Sequence, residues 1–273
     1  MSNNKGLRTL GALIAVTAAF AAQAAPLYFN GFETNTAGWD NTNRVSSGTG
    51  GVASATGSFH ANAATTGNSF TRFGGYNFGA GNAVPTAFQG YQTSVDVYLN
   101  VGGSWANDTR LDFSSAINNA SGVHLRDFIF NGGFYNDATG PGANTNRFVF
   151  SASNNAQRGS AFAKNPARSP IAISNTGWYT FQHTFYEASG FLAVDMKVLN
   201  ATAIPVGSWT LGGAADPIAG VGGNRYGFFN FNEFGAQLAF DNAILTVVPE
   251  PGTYAMLLAG LVAVGFMAKR RSA

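Results

Sequence analysis

Acidic side chains are the groups that hydrolytic chemistry would need first in this chain. Between residues 26 and 248 the glutamates are Glu33, Glu187 and Glu233, and they are widely separated in sequence. A glycosidase needs two carboxyl groups facing each other across the scissile bond, roughly 5–10 Å apart. Asp195 lies in a strand-like run, but no acid follows two residues later, where a side chain would share its face. The sequence therefore shows no catalytic carboxylate pair.

Other catalytic groups are equally sparse. The Gly-x-Ser-x-Gly motif of an activated serine does not occur. The histidines His60, His124 and His183 lack the i,i+4 or carboxylate-flanked spacing of a metal site. The chain contains no cysteine, which excludes a thiolate nucleophile, a thiolate metal site and disulfides. These patterns favour a protein that is not an enzyme.

Charge and composition describe the kind of fold that could hold a binding site. The formal net charge is +2, but five basic residues lie at the two ends, and residues 26–248 contain ten basic and twelve acidic side chains. Nucleic-acid binding is not expected, because a binder would carry a clustered Lys/Arg patch on its folded part. Only 10% of residues are charged, with 35 Gly and 24 Phe, which is typical of a turn-rich β protein.

The N-terminus has the three parts of a secretory signal peptide. Lys5 and Arg8 precede an apolar run at 10–22, and small residues follow up to Ala24. Cleavage by signal peptidase is expected after Ala24, so that residues 1–24 are the signal peptide; cleavage after Ala25 is the alternative site. A retained transmembrane helix is the alternative, but the run is short for a membrane span.

The C-terminus contains a proline-rich motif, an apolar run and a basic cluster. Val248, Pro249, Glu250 and Pro251 precede an apolar stretch and then Lys-Arg-Arg at the end. The prolines keep the peptide extended and break any preceding strand. Residues 252–268 are predicted as a transmembrane helix about 25 Å long, and the basic cluster would stay on the cytoplasmic side.

This order of elements resembles the PEP-CTERM sorting signal. The resemblance implies that an exosortase recognises and processes Val248, Pro249, Glu250 and Pro251, which are substrate residues rather than catalytic ones. It also implies export across the inner membrane of a Gram-negative bacterium, a transient membrane contact through 252–268, and a final location at the cell surface or outside the cell. An ordinary C-terminal membrane anchor is the alternative.

The region 25–247 is predicted to be a single β-sandwich domain, followed by the sorting segment 248–273. Apolar and polar residues alternate in Tyr91–Leu99, and 178–187 with 191–199 form a hairpin closed by Ala-Ser-Gly. No part of the region repeats apolar residues at helical spacing for three turns. The expected fold is all-β, a single antiparallel β-sandwich of jelly-roll or concanavalin-like type.

The two edges of this domain resemble those of carbohydrate-binding jelly rolls. Phe29-Asn-Gly-Phe-Glu33 is similar to their opening, and Leu238-Ala-Phe-Asp241 with the residues after it is similar to their closing strand. The resemblance implies that the first and last strands pair and that Glu33 and Asp241 share a structural Ca²⁺, a hard ion that binds oxygen ligands. The alternative is that Glu33 caps a turn and Asp241 is a solvated strand residue.

The candidates for a sugar-binding platform are the tryptophans Trp39, Trp105, Trp178 and Trp209. Trp178 and Trp209 lie in strand-like runs and are predicted to be in the core. Trp105 lies in a loop with Asn107 and Asp108 close by, so these three residues are the predicted platform for exopolysaccharide. The leading hypothesis is a non-catalytic exported surface or biofilm-matrix protein. The alternatives are a secreted polysaccharide hydrolase or lyase, and a purely structural adhesin.

Overall fold

The computed structural model describes residues 26–64, 71–73, 88–121, 123–154, 169–222, 224–248 and 260. The predicted signal peptide, 1–24, lies outside the described residues, and so does the predicted transmembrane helix, 252–268, apart from Gly260. Both stay predictions. Within the described part of the chain, no helix is long and apolar enough to cross a bilayer.

Strands of two antiparallel sheets account for most of the described residues. The first sheet consists of β1 (Tyr28–Asn30), β3 (Thr42–Ser46), β4 (Phe59–Ala63), β6 (Tyr91–Leu99), β11 (Gly177–Ala188), β12 (Phe191–Leu199), β13 (Pro205–Pro217) and β15 (Ala239–Val247). Their order is β13-β12-β11-β6-β15-β4-β3, and β1 pairs with β15 beyond the part that β4 occupies.

The second sheet has seven described strands, and short 3-10 turns connect some of the elements. Its strands are β2 (Trp39–Asp40), β5 (Thr71–Phe73), β7 (Thr109–Asn118), β8 (His124–Tyr135), β9 (Arg147–Asn154), β10 (Ile171–Ile173) and β14 (Asn224–Asn232), in the order β10-β9-β8-β7-β14-β5-β2. The turns are Thr49–Gly51, Ile218–Gly220 and Gly235–Gln237. The predicted all-β antiparallel sandwich is confirmed.

The strand predictions with the clearest patterns are also confirmed. Burial alternates strictly along β6, from Tyr91 to Leu99. β11 and β12 form the predicted hairpin, with Ala188 opposite Phe191. The two turn residues, Ser189 and Gly190, have φ angles of 54° and 83°, which suit the two-residue turns that match the twist of paired strands.

Phenylalanine rings fill the space between the sheets. Phe130 of β8 and Phe150 of β9 both pack edge-to-face on Phe181 of β11, with ring centroids 5.1 and 4.9 Å apart. All three side chains are fully buried. Aromatic pairs in this arrangement contribute about 0.5–1.5 kcal/mol beyond the area that they bury. The high phenylalanine content of the sequence is therefore used in the core.

The two tryptophans predicted to be in the core differ. Trp209 is buried, as predicted. Trp178 is only half-buried, because the alternation of β11 places it on the outer face of the first sheet. There its indole N–H donates to the Ala53 carbonyl at 2.8 Å, and its ring packs on Tyr98. The core prediction for Trp178 is wrong.

Candidate functional site

Asp241 lies where β15 changes partner. The residues before it pair with β4 and those after it with β1, as the resemblance to carbohydrate-binding jelly rolls implied for the first and last strands. Asp241 is fully buried. Its Oδ2 accepts the backbone N–H groups of Ala55 at 3.1 Å and Thr56 at 3.3 Å. Burial raises the pKa of Asp241 to about 6, because the N–H bonds offset only part of the desolvation and the charge of Asp96 adds to it.

Glu33 binds the next residues of the same loop. Its Oε1 accepts the backbone N–H groups of Ser58 at 3.0 Å and Phe59 at 3.1 Å. Gly57 allows this approach, since a Cβ there would lie 2.2 Å from Glu33 Oε1. The structure thus brings both predicted calcium residues, Glu33 and Asp241, to the loop 55–59.

The contacts of this loop decide how well the pair fits calcium. A Ca²⁺ ion takes six to eight oxygen ligands. The groups that loop 55–59 points at the two carboxylates are amide N–H donors, whose partial positive charge disfavours a cation at the same place. Among the described residues, no three of His, Cys, Asp or Glu come together in a possible metal site. These N–H donors count against a calcium ion between the two carboxylates. Glu33 and Asp241 as calcium ligands stay a prediction, which thermal unfolding with calcium and with a chelator would test.

Trp105 lies in the loop between β6 and β7 and is half-buried. Its indole N–H donates to the Asn100 carbonyl at 2.9 Å, and its ring packs edge-to-face on Phe234 at a centroid distance of 4.8 Å. Gly103 lets the ring lie against the backbone, because a Cβ there would come within 2.2 Å of Trp105 Nε1. Protein contacts therefore fix the indole in one position.

A second loop, 136–146, is held down by one buried arginine. Arg147, the first residue of β9, is fully buried. Its guanidinium donates to the carbonyl oxygens of Pro141, Thr145, Asp137 and Thr139, and to Asp137 Oδ1 at 2.9 Å. Desolvation of Asp137 is outweighed by the hydrogen bonds from Arg147 and Thr139, which lower the pKa of this carboxyl group.

Asn107 joins the two loops. Its Nδ2 donates to Asp137 Oδ2 at 3.4 Å, and its Oδ1 accepts the backbone N–H of Asn136 at 2.9 Å. The backbone N–H of Asp108 donates to the Phe134 carbonyl. We refer to residues 100–108 and 136–146 as the polar rim. The three predicted platform residues lie in one half of it, and exposed asparagine and threonine side chains occupy the other half.

A buried polar network links the strands that adjoin the polar rim, since β7 follows its first loop and β8 precedes its second. Asp112 of β7 is 2% exposed, and its carboxylate accepts the backbone N–H of Gly132 at 3.2 Å and the amide of Asn131 at 3.3 Å. Ser153 donates to Asn131 Oδ1, and Arg110 Nη2 lies 3.6 Å from Asp112 Oδ1. Because its members are internally paired, this network stiffens the strands that carry the rim.

The histidines are scattered over the fold. His183 lies fully buried in the core, where its Nε2 meets the Phe128 carbonyl at 3.0 Å, and burial lowers its pKa to about 3. Burial also lowers the pKa of His60. His124 Nε2 lies 2.9 Å from Asp127 Oδ1. Sequence analysis found no carboxylate-flanked histidine, because residues three apart in a regular strand point to opposite faces; here β8 begins with a register shift at His124.

Sequence analysis also missed the residues that support the rim: Arg110, Asp112, Asn131 and Arg147. A signal was present, since polar residues alternate with apolar ones through Arg-Leu-Asp-Phe-Ser at 110–114. That period predicts which face each side chain occupies, but the enclosure of a sheet's outer face depends on loops far away in sequence.

The last residue described before the sorting motif is Val248. Its backbone N–H donates to the Gly90 carbonyl at 2.9 Å, so the chain is held to the first sheet up to this point. Pro249, Glu250 and Pro251 lie outside the described residues.

Comparison with known proteins bears on the tail and on the fold. Residues 247–271 match the family model of the PEP-CTERM protein-sorting motif. The resemblance predicted for the tail is confirmed: the chain carries a PEP-CTERM sorting motif, which indicates a protein of a Gram-negative bacterium that is exported, processed by an exosortase and attached at the surface. Among curated proteins, no sequence matches this chain significantly.

Two solved structures are weakly similar to this one. The CBM2 module of the evolved Dit protein of Lactobacillus casei BL23 phage J-1 has 12% identity and a TM-score of 0.41, over 84% of this chain and 98% of that chain. The alginate lyase from Klebsiella pneumoniae has 9% identity and a TM-score of 0.32, over 60% and 61%. Likenesses at this level carry no argument about ligand or activity.

Proposed function

We propose that the exported, processed protein is a non-catalytic surface or extracellular-matrix protein whose polar rim contacts polysaccharide, including the exopolysaccharide of the producing cell. The observation that carries this proposal is the anchoring of an exposed polar loop by Arg147, which is itself fully buried beneath it. An exposed loop that is held in this way has a defined shape in the absence of ligand.

A polar rim with a fixed shape suits sugar recognition for two reasons. Amides, hydroxyls and carboxylates such as those of Asn107, Asn136 and Thr139 can exchange hydrogen bonds with sugar hydroxyls. Loops that are already ordered lose little conformational entropy on binding, so more of the contact energy remains as affinity. Trp105 adds an aromatic surface beside these polar groups.

The charged groups at the rim support a binding role rather than catalysis. A glycosidase acid needs a raised pKa so that it stays protonated, whereas hydrogen bonds from Arg147 and Thr139 lower the pKa of Asp137. The partly exposed pair of His124 and Asp127 lies at the start of β8, whereas the rim follows its last residue, Tyr135. Eight strand residues lie between Asp127 and the rim, roughly 30 Å along the strand, so this pair is not part of the rim.

Binding of the host's own exopolysaccharide to the processed protein, purified from that host, tests the proposal. We expect Trp105→Ala to weaken binding about tenfold or more, the loss typical of a central aromatic contact. Trp178→Ala is the matched control, because it also removes a half-buried indole whose N–H donates to a backbone carbonyl. It should change the affinity less than about twofold, in line with peripheral positions.

Three results would contradict the proposal. Wild-type protein that fails to bind, or equal losses in the two tryptophan variants, would remove polysaccharide contact from the rim. Shortened or unsaturated products released during incubation would favour the alternative of a polysaccharide hydrolase or lyase.

A further inference from the structure

The two ends of the domain lie side by side. β1 pairs antiparallel with β15, with Tyr28 opposite Leu245 and Asn30 opposite Ala243. The backbone N–H of Leu27 donates to the Leu245 carbonyl at 2.8 Å. Neighbouring strands are about 4.8 Å apart. The chain therefore enters the first sheet next to the place where it leaves that sheet toward the sorting motif.

Apolar side chains are exposed beside this exit. Leu27 and Phe29 are 39% and 56% exposed, and Phe29 lies opposite the half-buried Ile244 of β15. We refer to Leu27, Phe29 and Ile244 as the exit patch. On the side of β6, the next strand of the sheet, polar residues border the patch: Ser94 lies opposite Ile244, and Gln92 lies opposite Thr246. Contiguous apolar residues rimmed by polar ones mark interaction surfaces.

Very little chain separates the exit patch from the sorting motif. Because Val248 is bonded to Gly90, the strand is held to the sheet until one residue before Pro249. At about 3.3 Å per residue, Leu27 lies roughly 7 Å and Phe29 roughly 13 Å from Val248 along the strand, and Pro249 is the next residue in the sequence. A folded enzyme that holds the motif in its active site extends over such distances.

The direction of the patch and its closeness to the motif favour a protein partner. Side chains of a strand stand roughly perpendicular to the sheet, so Phe29 and Ile244 project sideways from the end of β15 that leads to the motif. A protein that holds the motif beside the domain, as the exosortase does, can reach them. We infer that the exit patch docks against the part of the processing exosortase that lies outside the bilayer. The inference rests on the sorting motif and not on polysaccharide binding at the polar rim.

The rate of C-terminal processing of the full-length precursor in its host is the first test. We expect Leu27→Ser/Phe29→Ser to slow conversion about fivefold, the effect of losing roughly 1 kcal/mol of docking energy. Phe29→Ser alone, which is further from the leader, should give part of this effect without changing N-terminal cleavage. Val123→Ser/Leu125→Ser is the matched control, because these apolar residues are 60% and 41% exposed but lie on either side of His124, where β8 begins. It should be processed at the wild-type rate.

Separating the motif from the patch is the second test. Six Gly and Ser residues inserted between Val248 and Pro249 should slow processing to the rate of the patch variant. Combining the insertion with Leu27→Ser/Phe29→Ser should cause no further loss, since both changes remove the same contact. Wild-type processing of the patch variant, an equal loss in the control, or full additivity would overturn the inference. Patch variants keep the polar rim intact, so failure here and failure of polysaccharide binding are distinguishable.

Discussion

The outer faces of the two sheets carry similar polar side chains in different surroundings. On the first sheet, the outward residues of β6, including Gln92 and Asp96, are half-exposed. On the second sheet, the outward Asp112, Ser114 and Asn131 are 2%, 0% and 7% exposed. Polar groups beside water need no internal partner, whereas enclosed ones are costly unless they are paired.

This difference indicates what each face does. Neighbouring side chains pair on the first face, as where Thr184 donates to Gln92 at 3.2 Å and Thr210 to Asp195 at 2.7 Å, but water can replace these bonds. On the second face, the paired groups join β7, β8 and β9, the strands that adjoin the polar rim. Apart from the exit patch, the first face is a solvated surface, and the second supports the proposed binding site.

Removing one basic residue from each face should give the largest difference in the free energy of unfolding. Arg147→Ala leaves several carbonyl oxygens and Asp137 without their donor, and we expect it to lower the free energy of unfolding by about 3–5 kcal/mol. Lys197→Ala, on the outer face of β12, should change it by less than about 0.5 kcal/mol. Urea unfolding at pH 7 measures both. Equal losses would show that the two faces do not differ as described.

A buried histidine in the core, His183, should make the stability of the protein depend on pH. The pKa of His183 is about 3 in the folded protein and near 6.5 when unfolded, so protonation favours the unfolded chain. Its contribution is complete above about pH 6.5 and is lost as the pH falls toward 3. Relative to His183→Gln, which cannot titrate, the wild type should lose on the order of 3 kcal/mol between pH 7 and pH 4. A difference that does not change with pH would contradict the assignment.

Removing an acid should also destabilise the protein more on the second face than on the first. Asp112→Ala leaves the Gly132 N–H, the Asn131 amide and Arg110 short of an acceptor, and should cost about 2–3 kcal/mol. Asp195→Ala removes the acceptor of two hydroxyl groups that solvent can reach, and should cost at most about 1 kcal/mol. Guanidinium unfolding of both variants would decide, and a larger loss for Asp195→Ala would reverse the comparison.

The smallest expected difference in stability is between a paired and an unpaired hydroxyl group on the second face. Ser114 Oγ is buried and has no hydrogen-bond partner, so Ser114→Ala should be neutral or stabilising by a few tenths of a kcal/mol, about the spread of neutral substitutions. Ser153→Ala removes a bond to Asn131 and should cost about 1 kcal/mol. Thermal unfolding resolves the two, and a loss for Ser114→Ala would indicate a partner for its hydroxyl.

The two-residue periodicity of the sequence predicted much of the fold but not the buried polar contacts of Asp112 and Arg147. Strict alternation in Tyr91–Leu99 predicted its inward and outward residues correctly, because a strand with one solvated face obeys a period of two. The same rule places Asp112 on an outer face but cannot reveal that the face is enclosed. The bonds from Arg147 to the loop before it depend on the loop's final shape.

The candidate sites show a similar limit. Resemblance placed Glu33 and Asp241 correctly at the meeting of the first and last strands, yet their partners turned out to be N–H groups of the loop 55–59. Which side of a peptide a loop presents is set by its φ and ψ angles, and residue type constrains these weakly. Trp105, Asn107 and Asp108 were identified from loop composition, and whether they bind a ligand stays a prediction.

Hydrogen exchange of the processed protein, with and without the host's exopolysaccharide, tests the central claim most directly. The polar rim, residues 100–108 and 136–146, should exchange more slowly when polysaccharide is present, because binding reduces local opening. The turns of the first sheet at 188–190 and 200–204 should be unchanged. Protection at those turns with none at the rim would contradict the assignment of the binding site to the second sheet.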